Sequence, residues 1–483
     1  MTNSYTNSVK FLLLIIALLV GFTSCKTNPV KLITESEDSK PVKNIILMIG
    51  DGMGPAYLKA YRQFMDNPET PQIEQTEFDK ILTGTVATDP LNNDDEYGRI
   101  TDSAASATAY ATGHKVLSRS LSITAEGKKL KTVLEQAKSN GLSTGLIVTS
   151  LLTDATPAAF IAHHPSRYEY SKIADYYLDN YDEQAQLMFD VVLGGGREYF
   201  VREDRDLMAE LTKKGFKTIK NKTDLLTNQD SKIVGLFAQR QLNKFWDRDE
   251  KTPSLAEMTA AAIKVLSQNK KGFFLMVEAS QIDWAGHRNN IVGVMSEMQD
   301  FELALKVALK FANEDGQTQI ILTADHETGG LSLGTRYDNK NKYYWKGRVI
   351  KQFTKTPEEI VKRALYSNDL LAEFKRASSL VLNKEEEESL KSFKFVKEVE
   401  NKTSSKISAR EKRKNSNKQK NKAVDLITDI VNRHTNTGWT TRSHTGVDVN
   451  LYAFGPKSNE LRGHFDNTKI GQFIFELLDE NNH

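Results

Sequence analysis

The sequence predicts an α/β fold, in which a mainly parallel central β-sheet is flanked by helices on both faces. Two observations support this prediction. Short, unbroken apolar runs alternate along the chain with longer helical patterns, which is typical of a parallel sheet covered on both faces. Four of these runs end in side chains that carry oxygen or nitrogen ligand atoms. Because ligands of open α/β sheets bind beyond the carboxyl ends of the strands, we expect these side chains to converge on one crevice.

The first predicted strand begins at Asn44, and the sheet is organised around it. Residues 45–49 form an apolar run that is long enough for a strand buried on both faces and short for a helix. The glycine-rich turn GDGMG follows, and it allows the backbone to turn sharply and approach a bound group. A helix is predicted over 55–64. Asp51 is therefore in position to hold a cation at the strand end.

The other predicted strands follow in order, and several end next to candidate ligands. They cover 143–149, 191–193, 272–277, 318–323 and 449–454, the last of which we expect to be the last central strand. Helices are predicted from 102 to 113, 130 to 139, 254 to 266 and 292 to 312. The side chains at the four strand ends are Asp51, the pair Asp154 and Thr156, Glu278, and the pair Asp325 and His326.

The composition indicates a soluble body with an export signal. The net charge is only +2 over 483 residues, so no nucleic-acid partner is expected. Lys10 precedes an apolar run over 11–22 that is typical of a signal-peptide core. Small residues then lead to Cys25, the single cysteine of the chain, which excludes an internal disulfide.

This N-terminus resembles a bacterial lipoprotein signal. It predicts a signal peptide over 1–24, a lipidated N-terminus at Cys25 and a polar tether over 25–43. The protein would then be exported and held at a membrane through Cys25, in the periplasm or at the outer membrane. The alternative is an uncleaved signal anchor.

A long insertion interrupts the alternation of strands and helices before the last strands. It covers about 336–439 and contains good helix signals, such as the capped start at Thr356. From 384 to 422 it is strongly charged and poor in aromatic residues. We expect a helical insertion with a partly disordered, solvated basic arm, and the alternative is a specific binding patch.

Six motifs, taken together and in order, resemble the alkaline phosphatase family. The resemblance runs from about Asn44 to Gly334 and resumes near Thr437, so the predicted catalytic domain is 44–483. The motifs are DGMG at Asp51, TDSAASATAYATG around Ser103, DATPAAFIAHHPSR from Asp154, VEASQIDWAGH around Glu278, TADHETGG around Asp325 and SHTG around His444.

The resemblance implies an enzyme that hydrolyses phosphate monoesters with two zinc ions and one magnesium ion. Asp283, His287 and His444 offer the oxygen and nitrogen set that is typical of a catalytic zinc. The second zinc set is Asp51, Asp325 and His326. Hard oxygen ligands for magnesium would come from Asp51, Thr156 and Glu278, with Asp154 acting on the waters of that ion.

Ser103 is the nucleophile that the resemblance implies, and it would pass through a phosphoserine intermediate. A serine hydroxyl is a poor nucleophile at neutral pH and needs a metal to favour the alkoxide. Its predicted place at a helix N-terminus suits phosphate. Arg167 matches the clamp on the phosphate oxygens, and Asp102 would steer Arg167.

Trp284 departs from the family pattern, which often has Lys or His there. An indole supplies no cation, so we expect looser phosphate binding near Trp284 and a charge on Asp154 that lacks a lysine partner. The long insertion occupies a region that contributes to dimer contacts or a lid in the family, so a homodimer is a further expectation. The alternatives are a phosphodiesterase or a sulfatase of the same superfamily, or a surface lipoprotein that binds phosphate or metal without turnover; a sulfatase motif, C/S-x-P-x-R, is absent around Ser103.

Overall fold

A ten-stranded sheet forms the centre of the protein. The structure is a computed structural model that describes residues 41–91, 98–335, 343–395 and 409–480, with the side chains of 409–416 left aside. The strands of this sheet are β1 (Asn44–Gly50), β2 (Leu82–Ala87), β3 (Ser143–Leu151), β4 (Val191–Gly195), β5 (Lys217–Ile219), β6 (Ile233–Leu236), β7 (Phe273–Ala279) and β8 (Thr318–Thr323), and, after four short strands outside it, β13 (Val449–Phe454) and β14 (Gly463–Asp466). Their order across the sheet is β14-β2-β13-β8-β1-β7-β3-β4-β6-β5.

The middle of the sheet is buried on both faces. Every residue of β1, β7 and β8 is buried. Because successive side chains of a strand point to opposite faces, this burial requires cover on both sides of the sheet. β1 pairs in parallel with β7 and with β8, and β3 pairs in parallel with β7. The predicted α/β class with a mainly parallel sheet is confirmed.

One strand runs against the others. β13 is antiparallel to both of its neighbours, β8 and β2. The chain then continues to β14, which pairs in parallel with β2 at the edge of the sheet. As expected, β13 is the last strand in the interior of the sheet. The shorter β14 follows it in the chain but lies at the edge. Strands β2, β5 and β6 have no counterpart in the sequence-based prediction.

Helices occupy most of the connections between the strands. Those that lie before the insertion are α1 (Pro55–Met65), α2 (Glu77–Lys80), α3 (Ser103–Thr112), α4 (Val133–Ser139), α5 (Ala155–Ile161), α6 (Tyr170–Asp179), α7 (Arg197–Phe200), α8 (Leu207–Lys213), α9 (Lys222–Thr227), α10 (Leu255–Leu266), α11 (Gln281–His287) and α12 (Ile291–Asp315). The helix predicted over 130–139 begins at Val133, after the capping residue Thr132. The helix predicted over 292–312 extends to Asp315, where Gly316 in a left-handed conformation ends it.

Two short antiparallel ribbons join the segment that follows β8 to the segment that follows the insertion. β9 (Glu327–Thr328) pairs with β12 (His444–Thr445), and β10 (Ser332–Leu333) pairs with β11 (Thr437–Gly438). Both pairings are antiparallel. The β10–β11 ribbon joins the two ends of the inserted segment, so the insertion leaves the domain and returns to it at one place.

The insertion is largely helical where the structure describes it. Its helices are α13 (Pro357–Ser367), α14 (Leu370–Ala377), α15 (Lys384–Ser392) and α16 (Ala409–Thr435), and α17 (Thr468–Glu480) closes the domain after β14. The predicted charged arm over 384–422 thus includes α15 and the first half of α16. Residues 396–408 of that arm lie outside the described part of the chain.

The predicted signal peptide, Cys25 and most of the tether also lie outside the described residues. Among the helices of the described part, none combines the length and the apolar character that a membrane span requires.

The sheet order brings the predicted ligand positions together. Four strands, β8, β1, β7 and β3, are adjacent in the sheet. Asp51 follows β1, Glu278 is the second-last residue of β7, Asp325 and His326 follow β8, and Asp154 comes three residues after β3. Because these strands are parallel, their carboxyl ends share one edge of the sheet, and the candidate site lies there.

Candidate active site

Ser103 begins α3, a helix whose ten residues are all buried. The alanine-rich sequence allows α3 to pack closely inside the domain. Asp102 caps the helix by accepting a hydrogen bond from the N–H of Ala105 at 3.2 Å. The Ser103 Oγ atom lies 3.2 Å from Nε2 of His326. The nucleophile predicted from the sequence is therefore at a helix N-terminus and in contact with a predicted metal ligand.

Arg167 is held by two carboxylates. Its guanidinium donates to Asp102 Oδ2 at 3.0 Å and to Asp154 Oδ1 at 3.2 Å. Burial acts to raise the pKa of Asp102, but Arg167 and the backbone N–H of Arg119 hold it below its usual value. The charge of Asp154 is thus paired with Arg167, a partner that the sequence analysis did not name when it expected no lysine partner from position 284.

Asp283, His287 and His444 form one group of potential metal ligands. One ligand atom from each of the three lies within 4.8 Å of the others. Asp283 and His287 are four residues apart on α11, which places them on one face of the helix. The β9–β12 ribbon brings His444 to them from the far side of the insertion, and the Nε2 atoms of the two histidines are 3.2 Å apart.

The other ring nitrogens of these histidines fix the tautomers. Nδ1 of His287 lies 2.6 Å from the carbonyl of Arg442, and Nδ1 of His444 lies 2.8 Å from the carbonyl of Thr101. A carbonyl only accepts, so both Nδ1 atoms carry a proton, and the Nε2 atoms of the two rings face each other. Burial alone would lower the pKa of His287, but Asp283 raises it to about 9, while burial and His326 lower the pKa of His444 to about 4. At 3.2 Å, the two Nε2 atoms are held together by one proton in the absence of a metal ion, and a bound cation would take the place of that proton.

Asp51, Asp325 and His326 form the second group, and all three are buried. Nε2 of His326 lies 3.2 Å from Asp325 Oδ2 and 3.6 Å from Asp51 Oδ1. Neither of these two carboxylate oxygens has a hydrogen-bond partner among the described residues. Gly52 donates its N–H to Asp325 Oδ1 at 3.0 Å from a left-handed conformation, φ +72°, and a Cβ there would lie 2.7 Å from the Cα of Asp283. The turn after β1 therefore requires glycine at this position.

Glu278 and Thr156 extend the same acidic cluster toward Asp154. Burial and the charge of Asp154 raise the pKa of Glu278 to about 8, against the hydrogen bonding of Ser280 and Thr156. Burial and the charge of Asp325 raise the pKa of Asp51 well above its usual value. Oε2 of Glu278 is buried and lacks a hydrogen-bond partner within the described ranges. Buried carboxylate oxygens without donors, and carboxylates that repel each other, fit the binding of hard cations.

Trp284 lies on α11 directly after Asp283, and it is half-buried. It lines a pocket of about 540 Å³ together with His287. Its indole makes no hydrogen bond to a described residue. The structure therefore places Trp284 beside the first ligand group and on the wall of a pocket.

The sequence-based prediction missed two residues that lie next to the candidate ligands. Thr328 donates a hydrogen bond to Asp283 Oδ1 at 2.5 Å, and its Oγ1 lies 3.2 Å from Nδ1 of His326. Glu327 accepts hydrogen bonds from the N–H of Gly330, at 3.1 Å, and from the hydroxyl of Thr445. Both residues belong to the motif TADHETGG. His326 and Thr328 are two positions apart in an extended segment, and this spacing is the signal that would have placed their side chains on the same side of the chain.

Known proteins resemble this chain over nearly its whole described length. The sequence profile of the family described as alkaline phosphatase matches residues 42–479. Alkaline phosphatase 4 of Bacillus subtilis is 43% identical over 445 residues, which cover 92% of this chain and 90% of that protein. Alkaline phosphatase 3 of the same organism is 41% identical over 478 residues, which cover 97% of each.

A solved structure shares the fold. The cold-active alkaline phosphatase from the psychrophile Shewanella sp. superposes with a TM-score of 0.77 at 37% identity, covering 90% of this chain and 99% of that one. The family resemblance and the prediction of an enzyme that hydrolyses phosphoric monoesters are confirmed. The chain belongs to the alkaline phosphatase family.

Proposed function

We propose that this protein hydrolyses phosphate monoesters through a phosphoserine intermediate on Ser103, with two zinc ions and one magnesium ion. One observation carries the proposal: the Ser103 hydroxyl is in contact with His326, which belongs to a buried group of potential metal ligands. Asp283, His287 and His444 would hold one zinc ion. Asp51, Asp325 and His326 would hold the other, and Asp51, Thr156 and Glu278 would hold magnesium, with Asp154 acting on its waters. Bound there, the cations supply positive charge that favours the serine alkoxide and stabilises the attacking and leaving oxygens.

The residues of the chain orient the reacting groups. Ser103 attacks phosphorus, and the free backbone N–H groups at the start of α3 face the phosphate oxygens. The planar fork of Arg167 grips two further oxygens. To do so, Arg167 must share its hydrogen bonds with Asp102 and Asp154, which hold it in place before the substrate arrives. Asp102 also caps α3, so the nucleophile and the clamp are positioned by one carboxylate.

The test is hydrolysis of a chromogenic phosphomonoester and of the matching phosphodiester, by wild type and by Ser103→Ala, with and without EDTA. We expect the monoester to be strongly preferred, EDTA to abolish turnover, and Ser103→Ala to lose most of kcat while it retains its metals. A preference for the diester would favour the phosphodiesterase alternative. The absence of turnover in metal-loaded wild type would favour a binding protein. Wild-type kcat in Ser103→Ala would exclude the phosphoserine route.

We also propose that the protein is exported and anchored in a membrane through a lipid on Cys25, in the periplasm or at the outer membrane. The support is the sequence alone: a signal-like apolar run that leads to the single cysteine. Cys25→Ser should move the protein from the membrane fraction to the soluble fraction without loss of specific activity. Labelling with a fatty acid gives the direct measurement, and mature protein without label at Cys25 would contradict the proposal. The homodimer stays a prediction, which sedimentation of the purified protein tests.

A further inference from the structure

A pocket of about 540 Å³ opens next to the first ligand group. Its walls come from the segment 241–247, from α11, and from the insertion helices α13 and α16. His287 and Trp284 are part of this wall. The volume is in the usual range for pockets that bind small organic molecules, about 300–1,000 Å³. The pocket is therefore continuous with the candidate active site and large enough for the organic part of a substrate.

Specific contacts hold the insertion against the catalytic domain at this pocket. Arg288, directly after α11, donates to Oδ1 of Asn421 on α16 at 2.9 Å. Asn290 donates to Glu358 on α13 at 2.7 Å. Asp247 accepts a hydrogen bond from the N–H of Thr356, the residue before α13, at 3.1 Å. These bonds fix the far wall of the pocket relative to His287, so the pocket is preformed.

Lys244 gives the pocket an unpaired positive charge. Only 7% of this residue is exposed, and its ammonium makes no hydrogen bond or ion pair with any described residue. The charge of Lys244 lowers the pKa of the nearby Glu297, but Glu297 makes its contacts with other residues. It accepts a hydrogen bond from the N–H of Phe245 at 2.6 Å and forms an ion pair with Arg248 at 3.8 Å. Because Lys244 lines the pocket, an anion bound there can pair with its ammonium.

The acidic residues of the pocket keep their negative charge, but none of them forms an ion pair with Lys244, because each bonds to another group. Glu358 accepts from Asn290, and Asp247 accepts from Thr356. Glu359 forms ion pairs with Lys362 at 3.0 Å and with Arg363 at 3.1 Å. Lys244 and Lys420 are thus the charged groups of the pocket wall that lack a protein partner within the described ranges, and Lys244 is the more buried of the two.

We propose that this pocket holds the alcohol part of the substrate, and that it favours an aromatic alcohol carrying a second anionic group, such as a carboxylate. The inference rests on the proposed function. An in-line displacement places the leaving oxygen across phosphorus from the nucleophile. Ser103 contacts the group of His326, so the leaving oxygen faces the group that contains His287, where the pocket opens. The face of Trp284 suits an aromatic ring, and Lys244 suits the second anion.

Two esters that differ by one carboxylate provide the test: 2-naphthyl phosphate and its carboxynaphthyl counterpart. We expect wild type to hydrolyse the carboxylated ester with the higher kcat/KM. Lys244→Met should reduce this preference about tenfold. Lys59→Met, which removes an exposed lysine of α1 outside the pocket, is the matched control and should keep the wild-type ratio.

A second variant tests the pocket without changing its charge. Leu365 lines the pocket on α13, and Leu365→Trp should fill part of the space. We expect kcat/KM for both naphthyl esters to fall at least fivefold relative to glycerol 2-phosphate, a small ester. If Lys244→Met fails to fold, the comparison of large and small esters in Leu365→Trp still tests whether the pocket holds the alcohol.

The outcomes separate this inference from the proposed function. If wild type hydrolyses all three esters but shows no preference for the carboxylated one, the pocket does not select an anionic alcohol. If folded Lys244→Met keeps the preference, Lys244 does not bind the second anion. If Leu365→Trp leaves the ratio of large to small ester unchanged, the pocket does not hold the alcohol. If metal-loaded wild type hydrolyses none of the esters, the proposed function itself is wrong, and the inference with it.

Discussion

Thr328 connects the two groups of potential metal ligands through one hydroxyl. Its O–H donates to Asp283 Oδ1, so its oxygen can accept a hydrogen bond from the N–H at Nδ1 of His326. The chain of hydrogen bonds then runs from His326 through Thr328 to Asp283. It keeps the proton of His326 on Nδ1 and leaves Nε2 free to face Ser103 and the carboxylates. Residues that orient ligands in this way are often worth tenfold to a hundredfold in metal affinity.

We therefore predict that Thr328→Val weakens zinc binding by about tenfold to a hundredfold. The variant keeps the shape of the side chain but removes both hydrogen bonds, and Thr328→Ser should restore most of the affinity. The measurement is a zinc titration of the metal-free protein, followed by calorimetry and by activity. An unchanged zinc midpoint in folded Thr328→Val would show that the hydroxyl does not orient the ligands.

At the scale of elements, a single half-buried carboxylate joins three helices on one side of the catalytic domain. Glu135 in the first turn of α4 accepts from the N–H of Thr132 at 2.9 Å. It also lies 2.8 Å from Nε2 of His163, which follows α5, and accepts from Asn180 at the end of α6 at 3.1 Å. Burial acts to raise the pKa of Glu135, but His163, Thr132 and Asn180 together lower it below its usual value of 4.5. The ionised form is therefore stabilised by folding.

This shift predicts a pH-dependent effect of Glu135→Gln, which retains the capping acceptor and removes the charge. For an acid whose pKa is lower in the folded state, the stabilisation is fully present above the unfolded value and is lost as the pH falls through the folded value. We expect Glu135→Gln to lower the free energy of unfolding by about 1–3 kcal/mol at pH 7. The difference should begin to shrink as the pH falls below 4.5 and should vanish once the pH is below the folded pKa of Glu135. Denaturant unfolding of both metal-free proteins from pH 3 to pH 8 checks this, and a constant difference would contradict it.

At the scale of the whole molecule, the site concentrates negative charge at one edge of the sheet. The charges of Asp325, Asp283, Glu278 and Asp154 all raise the pKa of Asp51, and those of Asp154 and Asp325 also raise the pKa of Glu278. Without cations, this repulsion and the buried carboxylate oxygens without donors oppose folding. The site is formed at the ends of four adjacent central strands. Repulsion between its carboxylates therefore lowers the free energy of unfolding of the whole domain.

We predict that EDTA lowers the Tm of the protein as well as its activity. A cation at a thousand times its Kd stabilises the folded state by about 4 kcal/mol per site. Zinc together with magnesium should restore both properties, and calcium at the same concentration should not restore activity. The measurement is thermal unfolding with and without chelator, with the metal content determined on the same samples. An unchanged Tm after complete removal of metal would show that the site does not stabilise the fold.

Most of the central sheet and of the candidate ligands could be predicted from the sequence, because both depend on local patterns. The apolar run over 45–49 predicts a buried strand whichever neighbours it has, and Asp51 is placed by the turn that follows. The pair Asp283 and His287 is placed by helix geometry alone. The assignment of His444 came from the family motif, since 118 positions separate it from His326.

Only the tertiary structure decided how distant segments meet, because such contacts depend on sheet order and on packing between elements. The antiparallel direction of β13 and the β9–β12 ribbon that delivers His444 are properties of the assembled sheet. The partner of Asp154 is another example: the sequence shows that a lysine is absent at Trp284, but the fold brings Arg167 to Asp154. The pocket with Lys244 exists only where the insertion helices pack against α11, so no local pattern contains it.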